Sequence, residues 1–502
     1  MSTGGEVHLP ELGVGITYSS KLEPLFEESP HLFDVIEVEP QTMWLETRNS
    51  RQPYVLPDAI LQKVARLPFR KLVHSVGVPV GGSVPPNPAQ LTLLRKTIER
   101  LDSPWASDHL SFNSTAEFHT GFFLPPRQTP AGVTTIVASI ASLANALPVP
   151  IAVETGVSYL RPRTDELPDG AFIASVIERA DCGLLLDLHN IFANAANGRQ
   201  PVEEFLAQIP FERVWEVHIA GGMEMDGFWL DAHSGRIPAP LCKIAEQVIP
   251  RLPNLKAIIF EIFPSFIEQV GLDAIGEEME RLRALWNLRG QSVIPTHIPK
   301  DPAIEHVWPL QPQPGETSVA APELWEQTLG NLVIGRIIDS PLAAELSSDP
   351  GVTLVARLIQ EFRASMIVNI FRLSARFLML ALTPDGLRMI LNDFWSKHPP
   401  HQFAVTEADA FAAYLRKLEL NLPALYSLLA FEQAAIATLT DNQTRVVQFD
   451  MDPLPLLRAL AAGRMPDQPG TPGQFEIELT ADGPAGSIGF DLEAFEQVIP
   501  FH

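Results

Sequence analysis

Six short apolar runs in this chain end on an imidazole or a carboxylate: Lys-Leu-Val-His74, Ser-Asp-His109, Ala-Val-Glu154, Leu-Leu-Leu-Asp187-Leu-His189, Glu-Val-His218 and Phe-Glu261. A second Asp-x-His pair, Asp231-Ala-His233, follows the fifth of them. Such side chains ligate metal ions and carry protons. Singly, each has a structural explanation, because a lone histidine is more often a satisfied core or rim residue than a ligand. Six strand ends together are another matter. If they converge, four or five imidazoles and four carboxylates crowd one cavity, and a low-dielectric interior tolerates them only when cations neutralise them. The set is too large for one ion and predicts a centre of two or three. Imidazoles and carboxylates without thiolates suit iron, manganese or zinc, and speak against a structural zinc site or an iron–sulfur cluster.

What must position these residues is a set of buried strands. The run from Cys182 to Asn190 reads as a parallel strand. Alternate strand residues share a face, which places Asp187 and His189 on one side and Leu186 and Leu188 on the other. The plainer reading is a strand end whose polar residues cap the next helix. From Gly13 to Trp286 such runs alternate with helix-length segments, and eight are visible: 13–18, 34–40, 71–76, 105–112, 151–156, 183–190, 214–221 and 257–264. Eight βα units predict an α/β fold, a TIM (β/α)8 barrel with its active site at the C-terminal ends of the strands.

Composition narrows the function classes. A chain of 502 residues with 46% hydrophobic content has ample material for a core and room for more than one domain. A net charge of −24 argues against nucleic acid or anionic membrane as partner, since phosphate binding needs a basic surface. Two cysteines, Cys182 and Cys242, form no framework and no Cys-x-x-Cys pair, which fits a reducing cytoplasm. The first ten residues have no basic region followed by an apolar core, and no apolar run approaches the ~20 residues of a membrane span. The expectation is a protein without an export signal.

The ordered series His74, His109, Glu154, Asp187, His218-Ile-Ala-Gly, Asp231-Ala-His233 and Glu261 resembles the multinuclear non-haem iron-dependent oxidative enzymes, TIM-barrel proteins that modify ribosomally made peptides. The resemblance spans about Gly13 to Trp286. It implies two or three irons in mixed Fe(II)/Fe(III) states, dioxygen as co-substrate, and oxidative attack on a cysteine or another residue of a precursor peptide. It also implies that His74, His109, Glu154, Asp187, His218, Asp231, His233 and Glu261 are iron ligands. His189 stands where the family commonly has Asn and is kept as a further ligand, so that Asp187, His189, His218 and Glu261 form the expected catalytic core. Thr155 and Gly222 depart from the family's Asn and His. Glu37 and Glu39 read as supporting carboxylates, His119 as a residue of the loop after the fourth strand, and Tyr18, Asn190 and Asn194 as neighbours of the ligands.

Proline-rich sequence near 298–322 sets a boundary, giving a barrel at 1–295, a linker at 296–322 and a mainly helical α+β part at 323–502. Thr383-Pro384-Asp385 and Thr406-Glu407-Ala408-Asp409 read as helix starts, and strands at 445–450 and 474–480 flank a helix at 453–462. His398 and His401, around Pro399-Pro400, read as a structural turn. From about Leu373 to Ala437 this part is similar to the helical partner proteins of the iron enzymes, which implies a fused peptide-binding module in place of a separate partner. Two other readings stay open: a non-redox divalent-metal barrel of the xylose-isomerase type, an isomerase or hydrolase, and a peptide-binding scaffold without catalysis.

Overall fold

The computed structural model describes residues 8–47, 52–291, 321–480 and 483–485. All eight runs are strands, numbered here in chain order: β1 Gly13–Thr17, β2 Val35–Val38, β3 Arg70–Ser75, β4 Ala106–His109, β5 Ile151–Glu154, β6 Gly183–Asp187, β7 Val214–Ala220 and β8 Ala257–Glu261. They form one closed parallel barrel in which each strand pairs with its neighbours in sequence and β8 returns to β1. A TIM barrel is therefore the fold of this region.

Both strand faces are buried, which is why the runs read as continuous rather than alternating. Outward residues such as Val73, Val153, Leu186, Val217 and Phe260 pack with the surrounding helices in the main core. Inward, Val35, Leu72, Trp105, Ala152, Leu185 and Ile259 fill the barrel floor. Two residues further along the same strands come Glu37, His74, Ser107, Glu154, Asp187 and Glu261, all buried. Period-two geometry makes this step from apolar floor to ionisable layer inevitable once the strand register is set.

The chain beyond the barrel is helical: Pro322–Val333, Pro341–Ser347, Pro350–Ile370, Arg372–Ala381, Pro384–Lys397, Ala404–Lys417 and Pro423–Asp441. An antiparallel sheet of Arg445–Met451, Pro472–Thr480 and Gly483–Ala485 follows, with helix Leu454–Ala461 between its first two strands. Thr383 caps its helix as expected, accepting from the Gly386 amide. The next helix starts at Ala404, ahead of the expected start at Thr406, with Phe403 at its N-cap packed 5.2 Å from the Tyr54 ring. The expected linker lies outside the described residues except for Ala321 and Pro322.

This helical part sits on the loops that follow the barrel strands. Trp325 donates its indole N–H to the Pro125 carbonyl at 2.9 Å, and Trp325, Leu329, Leu346 and Val355 share an apolar cluster with Phe112, Leu124, Tyr159 and Leu230. Asp349 Oδ2 accepts from the Arg161 amide at 2.9 Å, Arg163 pairs with Glu345 at 2.7 Å, and Gln402 donates to the Gly77 carbonyl at 2.8 Å. Among the described residues no single helix is long and apolar enough to cross a membrane; one pair, Pro350–Ile370 with Arg372–Ala381, passes a length and composition test only together, bent by 112°.

Candidate metal centre

The ionisable layer is built strand by strand. His74 is the penultimate residue of β3, with Nδ1 on Ser107 Oγ at 2.9 Å and Nε2 3.2 Å from Glu154 Oε2. His109 ends β4 directly opposite Glu154 in the β4–β5 register, its Nε2 3.1 Å from the same oxygen. On the far side a register shift between Leu184 and Leu185 brings Asp187 opposite His218. His218 Nδ1 lies 3.1 Å from Glu261 Oε1, and His233 Nε2 lies 2.9 Å from Asp231 Oδ1 and 3.5 Å from Glu261 Oε2. His233 holds a left-handed backbone, φ 42°, a conformation that non-glycine residues keep where the surroundings dictate it.

Four groups of donor atoms result among the described residues: His74, His109 and Glu154; Glu154, Asp187, His218 and Glu261; Asp187, Asp231 and His233; and, on the floor side of His218, Glu37 and Glu216 with that histidine. Within each, the donor atoms lie within 4.8 Å of one another, and Glu154 and Asp187 each belong to two groups. Glu154 Oε2, Asp187 Oδ2, Glu261 Oε2 and His218 Nδ1 are buried without a hydrogen-bond partner among the described residues. Every ion pair that Glu154, Asp231 and Glu261 make there is with an imidazole. Buried acceptors aimed at one another with no lysine or arginine between them fit a multinuclear cation centre.

The electrostatics follow from this packing. Burial pushes the Asp187 carboxyl well above the usual range, and Glu261, Asp231 and Glu154 push it further. Burial acts the same way on Glu261, but His218 and His233 override it and hold Glu261 at about 2. Glu154, against the same burial, is lowered by His109 and His74. Burial disfavours a charged His109, yet Glu154 and Asp108 raise it to about 9. His218 and His233 are raised well above the ordinary histidine value, against burial, with Glu261 the leading cause for both. The carboxylates thus favour protonated imidazoles, and a cation bound among these groups would compete with those protons.

Several expectations are corrected. Asp187 is the last residue of its strand and His189 already belongs to helix Leu188–Ala196, so they do not share a strand face. The plain capping reading holds: Asp187 Oδ1 accepts from the amides of His189 and Asn190 at 2.7 and 3.0 Å, and Oδ2 is without a hydrogen-bond partner among the described residues. His189 was expected as a ligand, but its Nδ1 meets Asp231 Oδ1 and its Nε2 accepts from Trp229 Nε1, both at 3.1 Å. Both ring nitrogens are engaged, so in this arrangement it offers an ion no lone pair. His119 lies in the connection after β4 as expected, on the hairpin strand His119–Leu124, driven down to about 4 by burial, and joins none of the donor groups. Asn190 and Asn194 bind the Thr155 and Gly156 carbonyls, and Tyr18 donates to Glu23, so these shape loops rather than touch the donor groups.

Glu216, Trp105, Phe123 and Phe263 were not singled out in the sequence, whereas Glu37 was. Glu216 lies two positions before His218 on the same strand face, a spacing that could have revealed it. Glu37 Oε1 stands 3.0 Å and Glu216 Oε1 3.5 Å from His218 Nε2, and Trp105 Nε1 donates to Glu216 Oε2 at 3.0 Å. With Nε2 held from below, Nδ1 is the His218 nitrogen that faces the cavity, the arrangement in which a carboxylate orients a ligating imidazole. At the rim Phe123 stacks on His109 at 4.2 Å and Phe263 lies 4.5 Å from His233. A cleft of about 750 Å³ begins three residues beyond His74 and His109 and is lined by Gly77, Val78, Asn113, His119, Pro400 and His401, from the loops after β3 and β4 and the C-terminal turn.

Comparison with known proteins bears on the barrel. The family described as RiPP precursor modification enzyme MbnB/TglH/ChrH matches residues 13–280. A UPF0276 protein of Anaeromyxobacter sp. is 29% identical over 232 residues, 46% of this chain and 81% of that protein. One of Chromobacterium violaceum is 28% identical over 45% of this chain and 81% of its own length. One of Streptomyces avermitilis, 29% identical, is matched over only 47% of its length. Among solved structures, a xylose isomerase domain protein from Planctomyces limnophilus is 14% identical over 56% of this chain and 96% of that one, with a TM-score of 0.33. That likeness carries no argument about activity, and the barrel rests on its own strand pairing.

Proposed function

The chain belongs to the MbnB/TglH/ChrH family of RiPP precursor modification enzymes, and from that premise we propose that it binds two or three iron ions at the barrel mouth and uses dioxygen to oxidise a residue, foremost a cysteine, of a ribosomally made precursor peptide. The observation that carries the metal part is the chain of three donor groups linked through Glu154 and Asp187, whose buried oxygens face imidazoles and one another but no lysine or arginine among the described residues. Bound there, iron would supply the redox equivalents for dioxygen and the Lewis acidity that deprotonates a thiol.

The chain's own residues do the positioning. His74, His109 and Glu154 would hold one ion, Glu154, Asp187, His218 and Glu261 a second, and Asp187, Asp231 and His233 a third. Glu37 keeps the proton on His218 Nε2 so that Nδ1 is free to ligate. Phe123 and Phe263 wall the outer imidazoles and limit water at the mouth. We assign the part from 323 onward a role in holding the peptide, because it is docked on the loops around the mouth and supplies Pro399, Pro400, His401 and Gln402 to the cleft beside it. The segment 296–322 is then a linker within one chain, and the tethered module takes the place of a separate partner. Two free cysteines, one buried, fit a cytoplasmic location.

The test is metal analysis of protein purified without oxygen, then oxygen uptake and mass spectrometry with peptides encoded beside its gene. Iron in two or three equivalents, oxygen consumption and a peptide mass change support the proposal. A colourless zinc or manganese protein that turns over without oxygen would instead indicate a non-redox isomerase or hydrolase. If His218→Ala leaves peptide binding and biological output intact and no metal is found, the chain is a scaffold.

A further inference from the structure

We infer that His189 is a positioning residue which aims Asp231 at a metal ion, held in that role by Trp229 and made possible by Gly222; the inference rests on the metal-centre reading above. The argument starts from an indole, which can donate a hydrogen bond and never accept one. Trp229 Nε1 lies 3.1 Å from His189 Nε2, so that nitrogen is the acceptor and the ring proton sits on Nδ1. Nδ1 in turn lies 3.1 Å from Asp231 Oδ1 and donates to it. The tautomer of His189 is thus dictated from outside.

The fixed end of this relay is well anchored. Trp229 exchanges two hydrogen bonds with the buried Asn197: its amide donates to Oδ1 at 2.8 Å and its carbonyl accepts from Nδ2 at 2.9 Å. Asp231 is held a second way, its amide donating to the Tyr159 hydroxyl at 3.0 Å. His189 itself is fully buried in the first turn of its helix, so its ring has no solvent to turn into. Space for the contact comes from Gly222: a Cβ there would lie 2.4 Å from both His189 Nε2 and Trp229 Nε1. No other residue fits without breaking the relay. His189 and Gly222, two of the places where the sequence departs from the pattern it resembles, therefore meet at one point and depart together.

Fe(II) uptake under anaerobic conditions, measured by competition with a chelator, separates a positioning role from ligation. Asn at 189 keeps an N–H near the place of Nδ1, so His189→Asn retains most of the wild-type affinity. His189→Ala removes the donor and weakens one metal position by about 10–100-fold, the usual cost of losing a ligand's outer partner. Trp229→Phe frees the tautomer and weakens the same position, by no more than His189→Ala does. Circular dichroism melts of the metal-free variants check folding, and Trp229→Phe remains informative if His189→Ala does not fold. The inference is overturned if His189→Asn loses metal as fully as His189→Ala while Trp229→Phe leaves or raises affinity, the pattern of a direct Nε2 ligand. Wild-type protein that takes up no Fe(II), Mn(II) or Zn(II) would sink the metal-centre reading and this inference with it; uptake by wild type with the ligand pattern in the variants sinks the inference alone.

Discussion

The barrel mouth and the helical part bury acids in opposite ways. In the helical part each buried carboxylate oxygen meets a complementary donor. Glu432 accepts from the Leu373 amide at 2.7 Å, the Ser374 amide at 3.0 Å and the Ser374 hydroxyl at 2.6 Å, and so caps helix Arg372–Ala381 from another helix. Glu407 takes Arg363 Nε at 2.6 Å on one oxygen and the His401 amide at 3.0 Å on the other, while Arg363 also binds the His398 carbonyl at 2.9 Å. The Pro399-Pro400 turn is thereby fixed. In the mouth, carboxylates face imidazoles and one another, and oxygens of Glu154, Asp187 and Glu261 have no hydrogen-bond donor among the described residues. A carboxylate that is finished by protein donors holds a structure together, whereas one left unfinished is waiting for a ligand.

The largest effect that could break this contrast is at Glu432. Glu432→Ala strands three buried donors at about 1–3 kcal/mol each, so denaturant unfolding should show a loss of several kcal/mol, with metal uptake unchanged in whatever protein stays folded. Asp187→Asn should do the reverse. Asn still caps the helix, so metal-free stability holds or rises as repulsion is removed, while metal affinity falls by at least the ~10–100-fold that losing an outer partner costs. If Asp187→Asn destabilises the metal-free protein as much as Glu432→Ala does, the contrast fails.

pH sharpens it further. His109 is raised from 6.5 to about 9 in the metal-free fold, so its contribution is complete below 6.5 and disappears as pH climbs through about 9. Metal-free protein should lose stability over that window, and metal affinity should rise across it because the displaced proton becomes easier to remove. Thermal melts with and without metal check both signs. Glu326 gives the smallest effect. Burial raises it from 4.5 to about 7 against the donors of Ser83, so the cost of burying the ionised carboxylate leaves its contribution to folding highest below 4.5 and lost as pH rises through about 7. Glu326→Gln should remove that slope and little else.

How much of this was legible beforehand differs by residue. The eight strands were, because buried parallel strands are short apolar runs and His74, Glu154 and Glu261 mark their ends. The end of β6 was not, since Asp187 closes it by capping a helix, and period-two reasoning carried two residues too far puts His189 on the wrong element. Glu216 was within reach of the same reasoning. Trp105, Trp229 and Tyr159 were not, because their work depends on contacts across 111, 40 and 72 residues of sequence. The docking of the helical part on the loops left no periodic trace at all.

Glu154 and Asp187 are each common property of two neighbouring donor groups. An occupant of the middle position could not depart without loosening the grip on both flanks, and substitution of either shared acid would be felt at two places at once. Filled, such an arrangement would load and empty as a unit, closer to a single cofactor assembled in place than to a row of independent ion sites.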